Sequence, residues 1–365
     1  MYTVPGAGTA LATPPDLAVE PLVAAVTETA VRTLRPCVEE TAEAGVPRTH
    51  LDALAACGAY GLIAYEPDPA SGVTARQVTR EVHELLAAAD PSTWFVWIQH
   101  HALAKGLLRG GDAARGEAWL AALARGDRRA TAGFAFLRHP RPPVTAQREA
   151  GGWRLSGRVP WMTGWGLADV VYLGALTPRD EVLFAPVDCA AGAGLAAAPS
   201  APLWAMRGTR TAAVEVRDVY VPDDEVVVRQ PRADWVRGYD LENADAQPAV
   251  FGQLRATADF LLACEGYEDL GLRVADRAAR LRAEAYALRD ELPPGEGPED
   301  RLRLRAESLD LAVRAAAACV AVAGGRAIQY GNTAGRLSRE AQFHLIQAQT
   351  GGLKREVARL MLDGP

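Results

Sequence analysis

The spacing of apolar positions changes twice along the chain, and each change marks a change of element type. From Asp16 to about Arg125 the residues are mostly Ala, Leu, Glu and Arg, all good helix formers. Leu51, Leu54, Ala55 and Gly58 recur at helical spacing, and Val96, Ile98 and Leu103 follow Ser92, which reads as an N-cap. Breaks at Pro47, Pro67 to Gly72 and Gly110–Gly111 divide this stretch into four to six helices. From Thr131 to Arg229 the pattern shifts to short β-branched and aromatic runs such as DVVYLGAL, EVLFAPV and AAVEVRDVYV, separated by Gly, Pro and Asp. No helical pattern lies between these runs, so a sandwich or barrel is favoured over a βαβ sheet. From Asp245 helix formers return, enough for three or four long helices, with ELPPGEGPED as an exposed link. The expected organisation is an α+β multidomain chain: helical domain 16–128, β-sandwich or barrel-like domain 129–230, and helical bundle 240–365.

Composition narrows the partners. The 365 residues are 49% hydrophobic and 23% charged, as in ordinary globular chains, and the length suggests two to three domains. With 39 Lys+Arg against 45 Asp+Glu the formal net charge is −6, so no overall positive field favours nucleic acid or an anionic membrane. Lys105 and Lys354 are the chain's lysines, which reads as a base-composition bias of the source genome. Five scattered cysteines, odd in number and without C-x-x-C, indicate reduced thiols. The first residues lack a basic region and an apolar run, and no stretch of 18 apolar residues follows, so a soluble, cytoplasmic protein is expected. No P-loop, G-x-G-x-x-G after a strand, G-x-S-x-G or H-E-x-x-H occurs, which leaves metal and NAD without support.

Three segments, in order, carry a resemblance. GGWRLSGRVPWMTGWGLADVVYLGA has a G-W-x-L-x-G hairpin, a W-x-T strand and an A-D-hydrophobic strand. Met206 to Pro222 read MRGTRTAAVEVRDVYVP, and AGGRAIQYGNTAGRLSREAQF contains R-L-x-R-E-A. Together they resemble the acyl-CoA dehydrogenase superfamily over nearly the whole chain. The resemblance implies FAD, with Trp161 beside the flavin ring and the Thr163 hydroxyl near its N5. It also implies that Phe134, Phe136 and Leu137 lie on a strand along the isoalloxazine edge, and that Gly324, Gly325 and Thr350 approach the dinucleotide. Read by themselves, Trp161 and Phe134 equally suit a β core, and Gly324–Gly325 a helix cap and turn.

The departures bear on chemistry. In this family a glutamate removes the substrate α-proton while the flavin takes a hydride from the β-carbon. Its usual position falls in Gln347–Ala348–Gln349–Thr350 and holds Ala348, and the minority position holds Ala246, with Gln247 where an arginine is expected. A shifted register leaves Glu242, Asp245, Glu265 and Glu268. The G-S-D turn appears as RHPRPP, where Arg138 or Arg141 suits a phosphate or simply solvent. The R-x-x-F-G element is not found. R-E-A-Q-F-H puts His344 where flavin monooxygenases of this fold carry a histidine near the reactive face; a helix histidine satisfied locally is the alternative. His100–His101 match a helix lining the substrate side, with packing favoured over catalysis.

Three functions remain open. The first is a flavin-dependent oxidoreductase acting on an acyl thioester or related small molecule with atypical acid/base chemistry. The second is a monooxygenase using reduced flavin and O2, and the third a non-catalytic subunit of a heteromeric complex. FAD is weakly held or supplied reduced in this reading. The expected assembly is a homodimer or homotetramer, or a pairing with a homologous subunit.

Overall fold

The computed structural model describes residues 4, 6, 8–110, 113–190, 192–199 and 202–363. Its first part carries α1 (Pro15–Ala18), α2 (Pro21–Thr29), α3 (Val38–Ala44), α4 (Arg48–Ala56), α5 (Ala75–Ala89), α6 (Pro91–Arg109) and α7 (Ala113–Arg125). These segments outnumber the four to six expected because short turns interrupt the pattern. Pro47 caps α4 as its break implies, Gly110 follows α6, and Gly111 lies outside the described residues. Ser92 is not the cap of α6. Asp90 is, its carboxylate accepting from the Thr93 amide at 3.0 Å, with Pro91 filling the first helical position that needs no N–H donor.

The strands are β1 (Ala130–Gly133), β2 (Val144–Glu149), β3 (Gly152–Met162), β4 (Val170–Leu176), β5 (Glu181–Asp188), β6 (Leu195–Ala198), β7 (Ala212–Pro222) and β8 (Val228–Pro231). They form one sheet in the order β6-β7-β3-β2-β4-β5-β8, with β1 added to β4 in parallel. Both faces of β4 and β5 are buried. Val171, Leu173, Leu183 and Ala185 enter a core with Leu155, Val159 and Val214, whereas Val170, Tyr172, Val182 and Phe184 pack on Leu103 and Leu107 of α6. That two-sided burial makes these runs nearly continuously apolar rather than alternating. On β3 a bulge falls at Gly157, whose φ of +142° and close approach to the Pro143 carbonyl oxygen leave no room for a Cβ.

The last part holds α8 (Arg232–Glu242), α9 (Pro248–Leu262), α10 (Glu268–Glu291), α11 (Pro298–Ala323), α12 (Thr333–His344) and α13 (Gly351–Asp363). The long α9, α10 and α11 meet the expectation, and ELPPGEGPED links α10 to α11. α8 begins in the gap between the two expected domains, 129–230 and 240–365, and ends inside the second of them. It lacks any buried residue, so its weak periodicity left no core-facing signal. By length and composition, residues 298–328 are apolar enough to cross a membrane, and α11 within them packs against α9, α10, α12 and α13.

α5 is locked to this bundle by charge. Arg255 of α9, fully buried, reaches Glu81 and Glu84 of α5 at 2.7 Å each, and Arg282 and Tyr286 of α10 also hold Glu84, at 3.1 and 2.6 Å. Burial alone would raise the Glu81 carboxyl, but Arg255 outweighs it and holds the pKa below its ordinary value. The two helices touch at Gly252, where a Cβ would lie 2.5 Å from the Glu84 carbonyl oxygen.

Candidate functional site

A cavity of about 1220 Å³ lies where α5, α6, the sheet, α8 and the end of α12 meet. It exceeds the roughly 300–1,000 Å³ of ordinary small-molecule sites. One wall is aromatic. Phe134 meets Phe184 edge-to-face at 5.6 Å and Trp235 at 6.1 Å, Tyr172 stacks on Phe184 at 5.2 Å, and Tyr239 follows Trp235 one turn along α8.

The W-x-T segment lines the same cavity. Strand alternation buries Met162 completely in the β core and turns Trp161 outward, where it is 62% exposed and lines the cavity. Trp161 is therefore not the core residue its strand position also allowed. Thr163 lines the cavity too and belongs to a chain of hydroxyls. Thr209 Oγ1 donates to the Met206 carbonyl at 2.7 Å and lies 2.7 Å from Thr211 Oγ1, which lies 3.0 Å from Thr163 Oγ1. Each hydroxyl has one proton. Thr209 spends its own on a carbonyl that can only accept, so Thr211 must donate to Thr209 and Thr163 to Thr211. The Thr163 oxygen is left with acceptor capacity only.

The other residues singled out by resemblance divide. Phe134 lines the cavity, but the strand expected at 134–137 is a 3₁₀ turn, Ala135–Arg138, because the chain leaves the sheet after Gly133. Phe136 and Leu137 consequently point into the cores beside the sheet. Gly324, at φ +65°, ends α11, and Gly325 follows on an exposed surface away from the cavity. Thr350 accepts from the Leu353 amide at the start of α13. Arg138 is committed to Asp240 at 2.9 Å and to the Gln349 carbonyl, while Arg141 is exposed.

Ala348 lines the cavity at φ +49°, with its carbonyl accepting from Arg305 at 3.1 Å. Ala246 is buried in the bundle core. Among the carboxylates of a shifted register, Glu242 lines the cavity and is paired with Arg109 at 2.5 Å. Asp245 is held by Arg301 and Arg289, and Glu265 and Glu268 are exposed around the α9–α10 turn.

The histidines separate as well. His344 is buried behind the lining rather than in it; the Gln347 side chain acts on its ring, but no hydrogen bond with acceptable geometry forms. His100 Nδ1 accepts from the Ala130 amide at 3.1 Å and fastens α6 to β1. His101 lines the cavity, as do His83 of α5 and Lys105 of α6, neither of which local pattern flagged. Burial pushes His83 down to about 3, and His100 and His344 to about 4, and lowers His101 as well. Lys105 is lowered by burial, with Arg109 and Arg289 adding to that and Glu242 opposing it.

These shifts set a pH dependence. Folded His100 and His344 stay neutral while the unfolded chain takes up protons below about pH 6.5, so the unfolded state binds more protons and stability rises with pH in that range. It is fully present above pH 6.5 and lost towards pH 4. At 1.36 kcal/mol per pH unit, each of the two costs on the order of 2 kcal/mol by pH 5. Thermal melts between pH 7.5 and 5 are expected to show the decline, and a flat profile would contradict the burial of these rings.

No protein-family model matches the chain, and no curated protein does. Solved structures do. A butyryl-CoA dehydrogenase from Megasphaera elsdenii superposes with a TM-score of 0.76 at 16% identity, over 96% of this chain and 99% of that one. A glutaryl-CoA dehydrogenase from Mycobacterium smegmatis in complex with FADH2 gives 0.73 at 18%, over 97% and 96%. A dibenzothiophene monooxygenase from Paenibacillus sp. A11-2 gives 0.68 at 18%, over 94% and 97%. Helices, one central sheet and a helical bundle thus follow in the same order over almost the full length of each, and this chain has the acyl-CoA dehydrogenase fold.

Proposed function

We propose that this protein is a flavin-dependent oxidoreductase that binds FAD against Trp161 and acts on a small molecule in the adjoining cavity. The observation that carries the reading is the pairing of an outward-turned Trp161 with the Thr163 oxygen on one wall of a cavity large enough for a ring system and a substrate. A bound flavin supplies two-electron transfer, which no side chain present can perform. Trp161 offers an aromatic face for stacking, and the wall of Phe134, Tyr172, Phe184 and Trp235 excludes water from the substrate.

Dehydrogenation of an acyl thioester needs a free carboxylate to take the α-proton. Ala348 stands at the usual position, and Glu242 is paired with Arg109. A second observation favours use of the reduced cofactor with O2. An acceptor-only Thr163 oxygen complements the N–H that a flavin ring gains on reduction, and nothing in the oxidised ring at that position can donate to it. FAD supplied in reduced form, cytoplasmic placement and a homodimer or homotetramer belong to the same reading. Ile328 and Tyr330, 88% and 73% exposed, offer apolar surface for that assembly.

The test is a titration of the purified chain with oxidised FAD and, under argon, with photoreduced FAD. Removal of excess and mass identification of the retained cofactor follow. Retention, with the reduced form bound more tightly, is expected. Binding of neither form overturns the flavin reading and favours the non-catalytic subunit; equal binding of both overturns the reduced-cofactor reading alone.

A further inference from the structure

One end of the cavity is lined by nitrogen bases that the proposed chemistry does not use. His101 and Lys105 lie one turn apart on α6, and His83 faces the same space from α5. Trp94 Nε1–H donates to His83 Nδ1 at 3.0 Å. An indole nitrogen can only donate, so the neutral His83 ring carries its proton on Nε2. That N–H has no partner among the described residues. His101 is 3% exposed, and its Nε2 is buried without a hydrogen bond. Lys105 is exposed into the cavity and forms no hydrogen bond or ion pair among the described residues.

The surrounding charges do not neutralise Lys105. Glu242 acts in favour of its charged form, but that carboxylate is paired with Arg109 at 2.5 Å, and Arg109 and Arg289 act against it. Asp234, the other carboxylate lining the cavity, lies 3.5 Å from Arg237, so neither of the lining acids forms an ion pair with Lys105. The chain's other lysine, Lys354, is exposed on α13, and arginine serves nearly everywhere else as the cation. A base-composition bias explains the arginines but not the compact, strongly hydrated ammonium at this position.

We propose that this end of the cavity is an anion-recognition site, and that the substrate carries a carboxylate held by the Lys105 ammonium and by the rings of His83 and His101. The body attached to it is apolar, because Phe95, Ile98 and Phe343 line the same end. A carboxylate there supplies the missing countercharge and an acceptor for the His83 Nε2–H, and for His101 in the tautomer that carries its proton on Nε2. The inference rests on the reading of this cavity as the substrate chamber.

The test compares 2-naphthoate with its neutral isostere 2-naphthamide, each titrated against the full chain at pH 7.5 by calorimetry. The naphthoate is expected to bind at least tenfold more tightly. Lys105→Met should bring the ratio close to one with naphthamide affinity unchanged, and Lys105→Gln repeats the test should the methionine variant fail to fold. Lys354→Met should alter nothing, and Glu242→Gln, which removes the competing carboxylate, should strengthen naphthoate binding severalfold. Equal affinities in the unaltered chain, absence of naphthoate binding, or a preference that survives at Lys105→Met overturns the proposal. Flavin retention is measured independently, so loss of the naphthoate preference with FAD retained overturns only this inference. The preference without FAD overturns only the flavin reading.

Discussion

Replacing Trp161 with alanine is expected to weaken FAD binding tenfold to a hundredfold while changing folding stability by less than about 0.5 kcal/mol. The two effects separate because of where strand alternation puts the ring. Met162 fills the β core completely, whereas Trp161 next to it is 62% exposed, so truncation leaves no cavity in the core. A stacked aromatic is worth roughly 1–3 kcal/mol against a planar ring system, and each 1.4 kcal/mol is a factor of ten. Trp161→Phe keeps part of the face and should fall between. Absorbance titrations with FAD in parallel with urea unfolding measure both quantities. Unchanged affinity removes Trp161 from the site, and a matching loss of stability means the ring is structural.

Arg255→Met is expected to cost about 3–5 kcal/mol of stability, the largest effect of any single substitution considered. The guanidinium is fully buried and bonded to Glu81 and Glu84, which are 3% and 1% exposed. Removing it leaves two carboxylates confined near one another, with Glu84 sharing Arg282 as its remaining cation. The penalty comes from two buried carboxylates left with one guanidinium, that of Arg282, rather than from lost packing, since methionine fills much of the same volume. A triple variant with Glu81→Gln and Glu84→Gln should therefore recover most of the loss. Urea denaturation midpoints decide it, and a triple variant no more stable than Arg255→Met contradicts the electrostatic account. Because His83 sits on α5 between these two glutamates, the single variant should also disturb the cavity wall.

Element type was legible wherever one period dominated. β3 and β7 are rich in β-branched and aromatic residues, and α9 to α11 carry the composition of long helices, so their existence and order follow from local pattern. α8 buries none of its residues and so shows no core-facing period, and Phe136 and Leu137 have β-favouring side chains although they fill the 3₁₀ turn after Gly133. Ser92 looked like a cap from its side chain alone, but Asp90 holds that place because Pro91 starts the helix.

The candidate site was legible only in part. W-x-T pointed to Trp161 and Thr163, and both line the cavity. His344 matched a motif by position, yet its side chain is turned into protein, because a helix presents residues one position apart to different surroundings. His83 and Lys105 stood in no motif. They became notable through their neighbours: Trp94 across from His83, Arg109 and Arg289 around Lys105, and the empty acceptor positions between them.

The order of helical, β and helical segments, the presence of a W-x-T segment, and an alanine at Ala348 in the position that the resemblance gives to a glutamate can all be read from residue type along the chain. Those are properties of residue type and local period. Which segments line the cavity, which way the threonine protons run, and that Lys105 has no ion pair among the described residues emerge with the three-dimensional packing. Such properties depend on distances between residues far apart in the chain, and short-range pattern carries no information about them.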